Sequence, residues 1–284
     1  MRVPLFAIAM LTLSLPVGCG RVIGNAPADY AAGDTLLPHD ELVIASRALG
    51  EDRPVNVYLP DAYAADTSRR FPVLYMPDGG TAEDFPHVTA TVDSMIAAGE
   101  IGPILVVGFA NTVRRRDLTP PTSVAEDRKV APVVGGADRT RTFLRDELIP
   151  EIERRYRVDS TRAVLGESLA GLFIVDTFFE APDLFDVSLA ISPSLWWNGQ
   201  RRVRDAAGWL AAHPDLEARL YLTHADETDI APYTAALAEA LRAGAPPRLG
   251  WSYVPRPDLS HGTIYRATKR DALRWAFGRA RQGG

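Results

Sequence analysis

Ala163-Val164-Leu165-Gly166-Glu167-Ser168-Leu169-Ala170-Gly171 is the stretch on which the reading of this sequence turns. Three apolar residues of strand type run into a turn, and a helical pattern of apolar residues from Leu172 to Phe179 leaves it. A strand that turns sharply into a helix brings the two backbones nearly into contact. The residues two before and two after the apex must then be small, and Gly166 and Ala170 meet that condition around Ser168. Ala170 stands where such a turn usually carries glycine, a difference of one methyl group. A turn of this kind presents the Ser168 hydroxyl at the end of its strand.

Outward from this turn, strand-like and helical segments alternate. Val55 to Leu59 alternates apolar and polar, as a half-buried strand does. Val73 to Met76, Ile104 to Phe109, Val187 to Ile191 and Leu220 to Leu222 are apolar without alternation, which fits strands buried on both faces. Leu144, Leu148, Ile152 and Tyr156 recur every four residues, a helical stripe. The alternation predicts a doubly wound, mostly parallel α/β sheet with helices on both faces, the α/β-hydrolase architecture. Ligands bind such sheets at the carboxyl ends of the strands. Asn111 to Asp138, rich in Arg, Pro, Thr and Gly, is expected to be a loop that partly covers the pocket.

A serine hydroxyl needs an adjacent base to attack at neutral pH. On sheets with this turn the order along the chain is serine, acid, histidine. His261 follows the strand-like Trp251 to Val254 and is expected, on a loop, to be the base. The acid is expected between Thr223 and Asp229, with Glu227 first, Asp226 second and Asp229 third. It would orient the imidazole and stabilise the imidazolium that forms during attack. Oxyanion donors are expected at the Leu169 backbone N–H and in the loop carrying Gly79 and Gly80, where no side chain obstructs an inward N–H. Arg116, Trp196 and Trp197 are candidate substrate contacts, able to hold an anionic or aromatic acyl group by ion pairing and stacking.

Several runs resemble the putative-esterase (esterase D-like) branch of the α/β hydrolases. They are Val55-Tyr58-Leu59-Pro60, Leu74-Tyr75-Met76-Pro77-Asp78-Gly79, Arg116-Asp117-Leu118-Thr119-Pro120, Glu147-Leu148-Ile149-Pro150 and Gly166 to Leu172. Ser192-Pro193-Ser194-Leu195-Trp196-Trp197 is similar in particular to ferric-siderophore esterases. The resemblance spans most of residues 42–280, with the motifs in the family's order. It implies that Ser168 and His261 form the catalytic pair, with the acid near Glu227. This chain departs from the family in having His224 where members place glycine.

Composition narrows the partners. Of 284 residues, 46% are hydrophobic and 24% charged, with a formal charge of −5 and no Lys/Arg-rich run of five or more. A polynucleotide partner is therefore not expected, because such partners call for concentrated positive charge. One cysteine allows neither an intrachain disulfide nor a cysteine-based metal site. No metalloprotease, phosphate-loop or dinucleotide motif is visible, so no cofactor and no metal are expected. Arg2, the apolar run Leu5 to Leu15 and the small residues Val17-Gly18-Cys19-Gly20 form a secretory-signal pattern. Residues 1–19 are read as a signal peptide with Cys19 a candidate for lipid attachment, 20–41 as a tether and 42–284 as one catalytic domain. The expected protein is exported, periplasmic or extracellular. The expected activity is serine-dependent hydrolysis of a small-molecule ester. Acyl transfer on the same fold and a non-catalytic, hydrolase-like binding protein are the alternatives.

Overall fold

The computed structural model describes residues 34–278. The expected signal peptide, Cys19 and the first part of the expected tether lie outside the described residues. Eight strands form one sheet: β1 (Asp40–Ser46), β2 (Glu51–Tyr58), β3 (Phe71–Met76), β4 (Leu105–Phe109), β5 (Val158–Glu167), β6 (Val187–Ile191), β7 (Ala218–Thr223) and β8 (Leu249–Tyr253). Their spatial order is β1-β2-β4-β3-β5-β6-β7-β8. β1, β2 and β4 pair antiparallel, and every pair from β4 to β8 is parallel. The helices are α1 (Asp61–Ala65), α2 (Phe85–Ala97), α3 (Arg114–Leu118), α4 (Ala137–Phe143), α5 (Ile149–Arg155), α6 (Leu169–Glu180), α7 (Trp197–Ala212), α8 (Ala231–Gly244) and α9 (His261–Phe277). The doubly wound α/β sheet expected from the apolar runs is the observed architecture.

The absence of alternation in the central strands has its cause in two cores. Val73 and Tyr75 of β3 face one core with residues of α4 to α8, among them Phe143, Ile152, Phe173, Leu210 and Leu237. Leu74 and Met76 of the same strand face the other with Phe85, Val88 and Val92 of α2 and Ile264 and Leu273 of α9. Each fully buried Val, Leu, Ile, Phe or Met contributes about 1.5–3 kcal/mol relative to exposure, so both faces of β3 select apolar residues.

β1 opens at Asp40, two residues before the expected domain start at Leu42, and Asp34 of the expected tether pairs with Arg266 of α9. The end of that segment is thus part of the domain. Asn111 to Asp138 also differs from expectation. It holds α3, a short 3-10 turn at Asp127–Lys129 and the start of α4. It is tied to the body, as the Trp197 Nε1–H donates to Pro120 O at 2.9 Å and the Thr122 hydroxyl donates to Asp127.

α6, which follows the serine turn, is anchored by charge. Asp176 is fully buried and accepts hydrogen bonds from Arg141 of α4 and Arg202 of α7, both 2.5 Å long. Asp176→Ala leaves two mostly buried guanidinium groups without their shared partner. A loss of about 3–5 kcal/mol is expected, read as a lower urea midpoint at unchanged slope. A loss under about 1 kcal/mol would contradict this role for the triad.

Candidate active site

Ser168 sits between β5 and α6 with φ 62° and ψ −117°, a left-handed conformation that costs a non-glycine residue about 1–3 kcal/mol. The turn is held by the Ser168 N–H, which donates to Ile191 O at 3.0 Å, and by Ser194 N–H, which donates to Ser168 O at 3.1 Å. A Cβ at Gly166 would lie 2.7 Å from the Ala170 Cβ. The small residues read from the sequence are thus a steric requirement of the turn.

His261 is the first residue of α9 rather than a loop residue. Ser260 precedes the helix, and its N–H donates to Thr263 Oγ1 at 3.0 Å, which fixes the helix start. Two backbone bonds tie the β7 and β8 loops together: Asp226 N–H to Leu259 O at 3.0 Å and Arg256 N–H to His224 O at 2.8 Å. That link sets Glu227 against His261. His261 Nδ1 hydrogen-bonds Glu227 Oε1, and His261 Nε2 lies 3.1 Å from Ser168 Oγ. Glu227 is buried, and its other oxygen accepts from the Ser192 hydroxyl and the Ala225 N–H, both at 3.0 Å. Burial opposes ionisation of Glu227, but the bonds from His261, Ser192 and Ala225 hold its carboxyl below the usual range. The hydrogen bond to Glu227 raises His261 above the ordinary histidine value, against burial. Asp226 and Asp229 are exposed and do not contact the imidazole, so of the three candidate acids only Glu227 reaches it.

The structure separates the remaining candidates. Leu169 opens α6, where a backbone N–H has no intrahelical acceptor and can meet an oxyanion. Gly79 and Gly80 do not offer theirs. Gly79 N–H donates to Phe109 O at 3.1 Å, and Gly80 N–H donates to Glu83 Oε2 at 2.7 Å. Gly79 is glycine for another reason: a Cβ there would lie 2.3 Å from Gly108 Cα. Arg116 is also turned away, bonding Glu51 and Asp117, which is itself paired to buried Arg53. Residues two apart on a helix do not share a face, and it is Arg114 that reaches the site. It clamps both oxygens of Asp78 at 2.7 and 2.8 Å, and its Nη2 lies 3.5 Å from Glu167 O. Trp197 is 2% exposed and locked to Pro120, so it has no face for a ligand. Trp196 is half-buried against it, two residues beyond Ser194.

Sequence reasoning missed Ser192 and Glu167, and within the run Arg114-Arg115-Arg116 it settled on Arg116 where Arg114 is the one that reaches the site. For Glu167 the signal was its place directly before the serine at a strand end. His224 is buried and hydrogen-bonds Tyr253 Oη at 2.7 Å, a structural contact. Among the described residues, no group of three or more His, Cys, Asp or Glu is arranged to hold a metal ion.

The sheet order and the Ser168 turn between β5 and α6 place the chain among the α/β hydrolases. Residues 46–247 match the putative esterase family, and the chain belongs to it. It is 30% identical over 164 residues to the ferri-bacillibactin esterase BesA of Bacillus subtilis, a match covering 52% of this chain and 56% of that protein. It is 28% identical over 175 residues to the iron(III) salmochelin esterase of Escherichia coli, covering 58% of this chain and 39% of that protein. The chain thus spans about half the length of these curated relatives. Among solved structures it resembles an IroE-like serine hydrolase from Shewanella oneidensis, with TM-score 0.76 and 25% identity over 84% of this chain and 80% of that one.

Proposed function

We propose that this protein is a serine carboxylic-ester hydrolase that works through an acyl-enzyme on siderophore-like or other small esters. The observation that carries the reading is one imidazole hydrogen-bonded to a buried carboxylate at Nδ1 and standing 3.1 Å from Ser168 Oγ at Nε2. In this reading Nε2 takes the Ser168 proton as Oγ attacks the ester carbonyl. Glu227 holds the tautomer that leaves Nε2 free, and stabilises the imidazolium. The imidazolium then protonates the leaving alkoxide. Water, deprotonated by the same nitrogen, releases the acid and restores Ser168. The Leu169 N–H at the start of α6 meets the developing oxyanion.

The class of substrate is supported by the relatives, whose names describe esterases of ferri-bacillibactin and salmochelin. In this reading the part-exposed Arg114 guanidinium, although paired with Asp78, and the half-buried Trp196 would meet an anionic or aromatic acyl portion. The test is turnover of catecholate esters, with and without iron, against simple p-nitrophenyl esters. Preference for the catecholate esters, weakened in Arg114→Gln, is expected. Equal rates on both, unchanged by Arg114→Gln, would contradict the substrate class.

A further inference from the structure

Glu167 closes β5 and points at the imidazole. Its Oε1 lies 3.4 Å from His261 Nε2, the nitrogen that also stands 3.1 Å from Ser168 Oγ. Hydrolysis needs the lone pair of that nitrogen aimed at the serine hydroxyl, and a carboxyl group on the same side competes for it. We propose that Glu167 is a positioning residue acting through His261: the two share a proton at Nε2 that must leave before Ser168 can be deprotonated. The inference rests on His261 being the base of the proposed reaction.

The surroundings supply the means. His261 meets Glu227 at Nδ1 and feels Asp229 from the same loop. Glu167 faces His261 from α9, Arg114 from α3, and Asp78 and Asp84 from the segment after β3, with the buried Tyr265 phenol of α9 in the same field. Its side chain is only 16% exposed. Burial pushes the Glu167 carboxyl up to about 7, and Asp84 and Asp78 add to that against His261 and Arg114. The N-terminal end of α9 disfavours a cation on His261, whereas Glu227 and Glu167 favour one.

A proton added to this pair has two places to sit. On His261 it forms an Nε2–H···Oε1 ion pair; on Glu167 it forms an O–H···Nε2 hydrogen bond. Either way it lies on the Glu167–Nε2 axis and occupies the lone pair, so the two groups titrate as a unit. Loss of that one proton leaves a neutral imidazole with Nε2 open to Ser168 and Glu167 ionised. The rate therefore rises with pH as the shared proton leaves, and the acid limb lies higher than Glu227 alone would place it.

Glu167→Gln keeps the shape and removes the carboxylate that holds the proton at Nε2. The acid limb of kcat/KM is expected to move toward lower pH, with a gain of about threefold or more on that limb and a smaller change on the plateau. A limb that stays in place, or moves to higher pH, would overturn the proposal. Should the variant not fold, the wild-type protein carries the same test. Carbon-13 at the His261 ring, followed by NMR, is expected to report two inflections, both belonging to the His261–Glu167 pair. A single-step titration would overturn the coupling. The two failures are distinguishable: turnover retained in Ser168→Ala refutes the reaction, whereas the ring titration is read without turnover.

Discussion

Ser168→Ala is expected to lower kcat/KM for ester hydrolysis by about a thousandfold or more, with the fold intact. The size follows from chemistry: without Oγ there is no acyl-enzyme, and the residual rate is that of a bound ester and positioned water. The fold survives because alanine keeps the Cβ that the turn already accommodates at φ 62°. The two backbone bonds that hold the turn, Ser168 N–H to Ile191 O and Ser194 N–H to Ser168 O, do not use the hydroxyl. The check is turnover of p-nitrophenyl acetate beside a thermal unfolding curve. Activity within about tenfold of wild type in a folded variant would contradict the assignment.

Glu227→Gln is expected to lower kcat by about 10²–10⁴-fold, whereas Asp226→Asn changes it by less than about twofold. The two residues are adjacent, and burial separates them. Glu227 accepts three hydrogen bonds from His261, Ser192 and Ala225, while the Asp226 side chain lies in solvent. Glutamine preserves the volume but offers an N–H where His261 Nδ1 or Ser192 needs an acceptor, which favours the tautomer with Nε2 protonated. The loss should fall on kcat more than on KM, because the imidazolium is stabilised only during reaction. Equal small losses in both variants would point to a serine–histidine pair working without a third member.

The central sheet was legible because burial on two faces writes itself into the sequence as apolar runs. β3 through β7 carry such runs, and each appears as a strand. β1 left no such mark, since six of its seven side chains are exposed or half-exposed, Ser46 alone being buried, and an edge strand of that kind reads as polar chain. The serine turn was legible from sterics at Gly166 and Ala170. The start of α9 was hidden by Pro257 and Gly262 around His261, although the Ser260–Thr263 pair is a helix-start signal. Orientation was the least legible. Arg114, Arg115 and Arg116 are equivalent in composition, and only the direction of α3 decides that Arg114 meets Asp78 while Arg116 meets Glu51. Gly79 and Gly80 illustrate the same limit. A glycine can be required by a backbone passing close to it, as Gly108 passes Gly79, and its N–H can already be spent.

The most direct measurement is mass spectrometry of the purified protein after reaction with a fluorophosphonate, with the adduct located by digestion. An activated serine is expected to take one phosphonyl group on the peptide bearing Ser168, and none is expected in Ser168→Ala. An adduct on a different serine, or none at all while esters are still hydrolysed, would contradict the proposal that Ser168, prepared by His261 and Glu227, is the nucleophile.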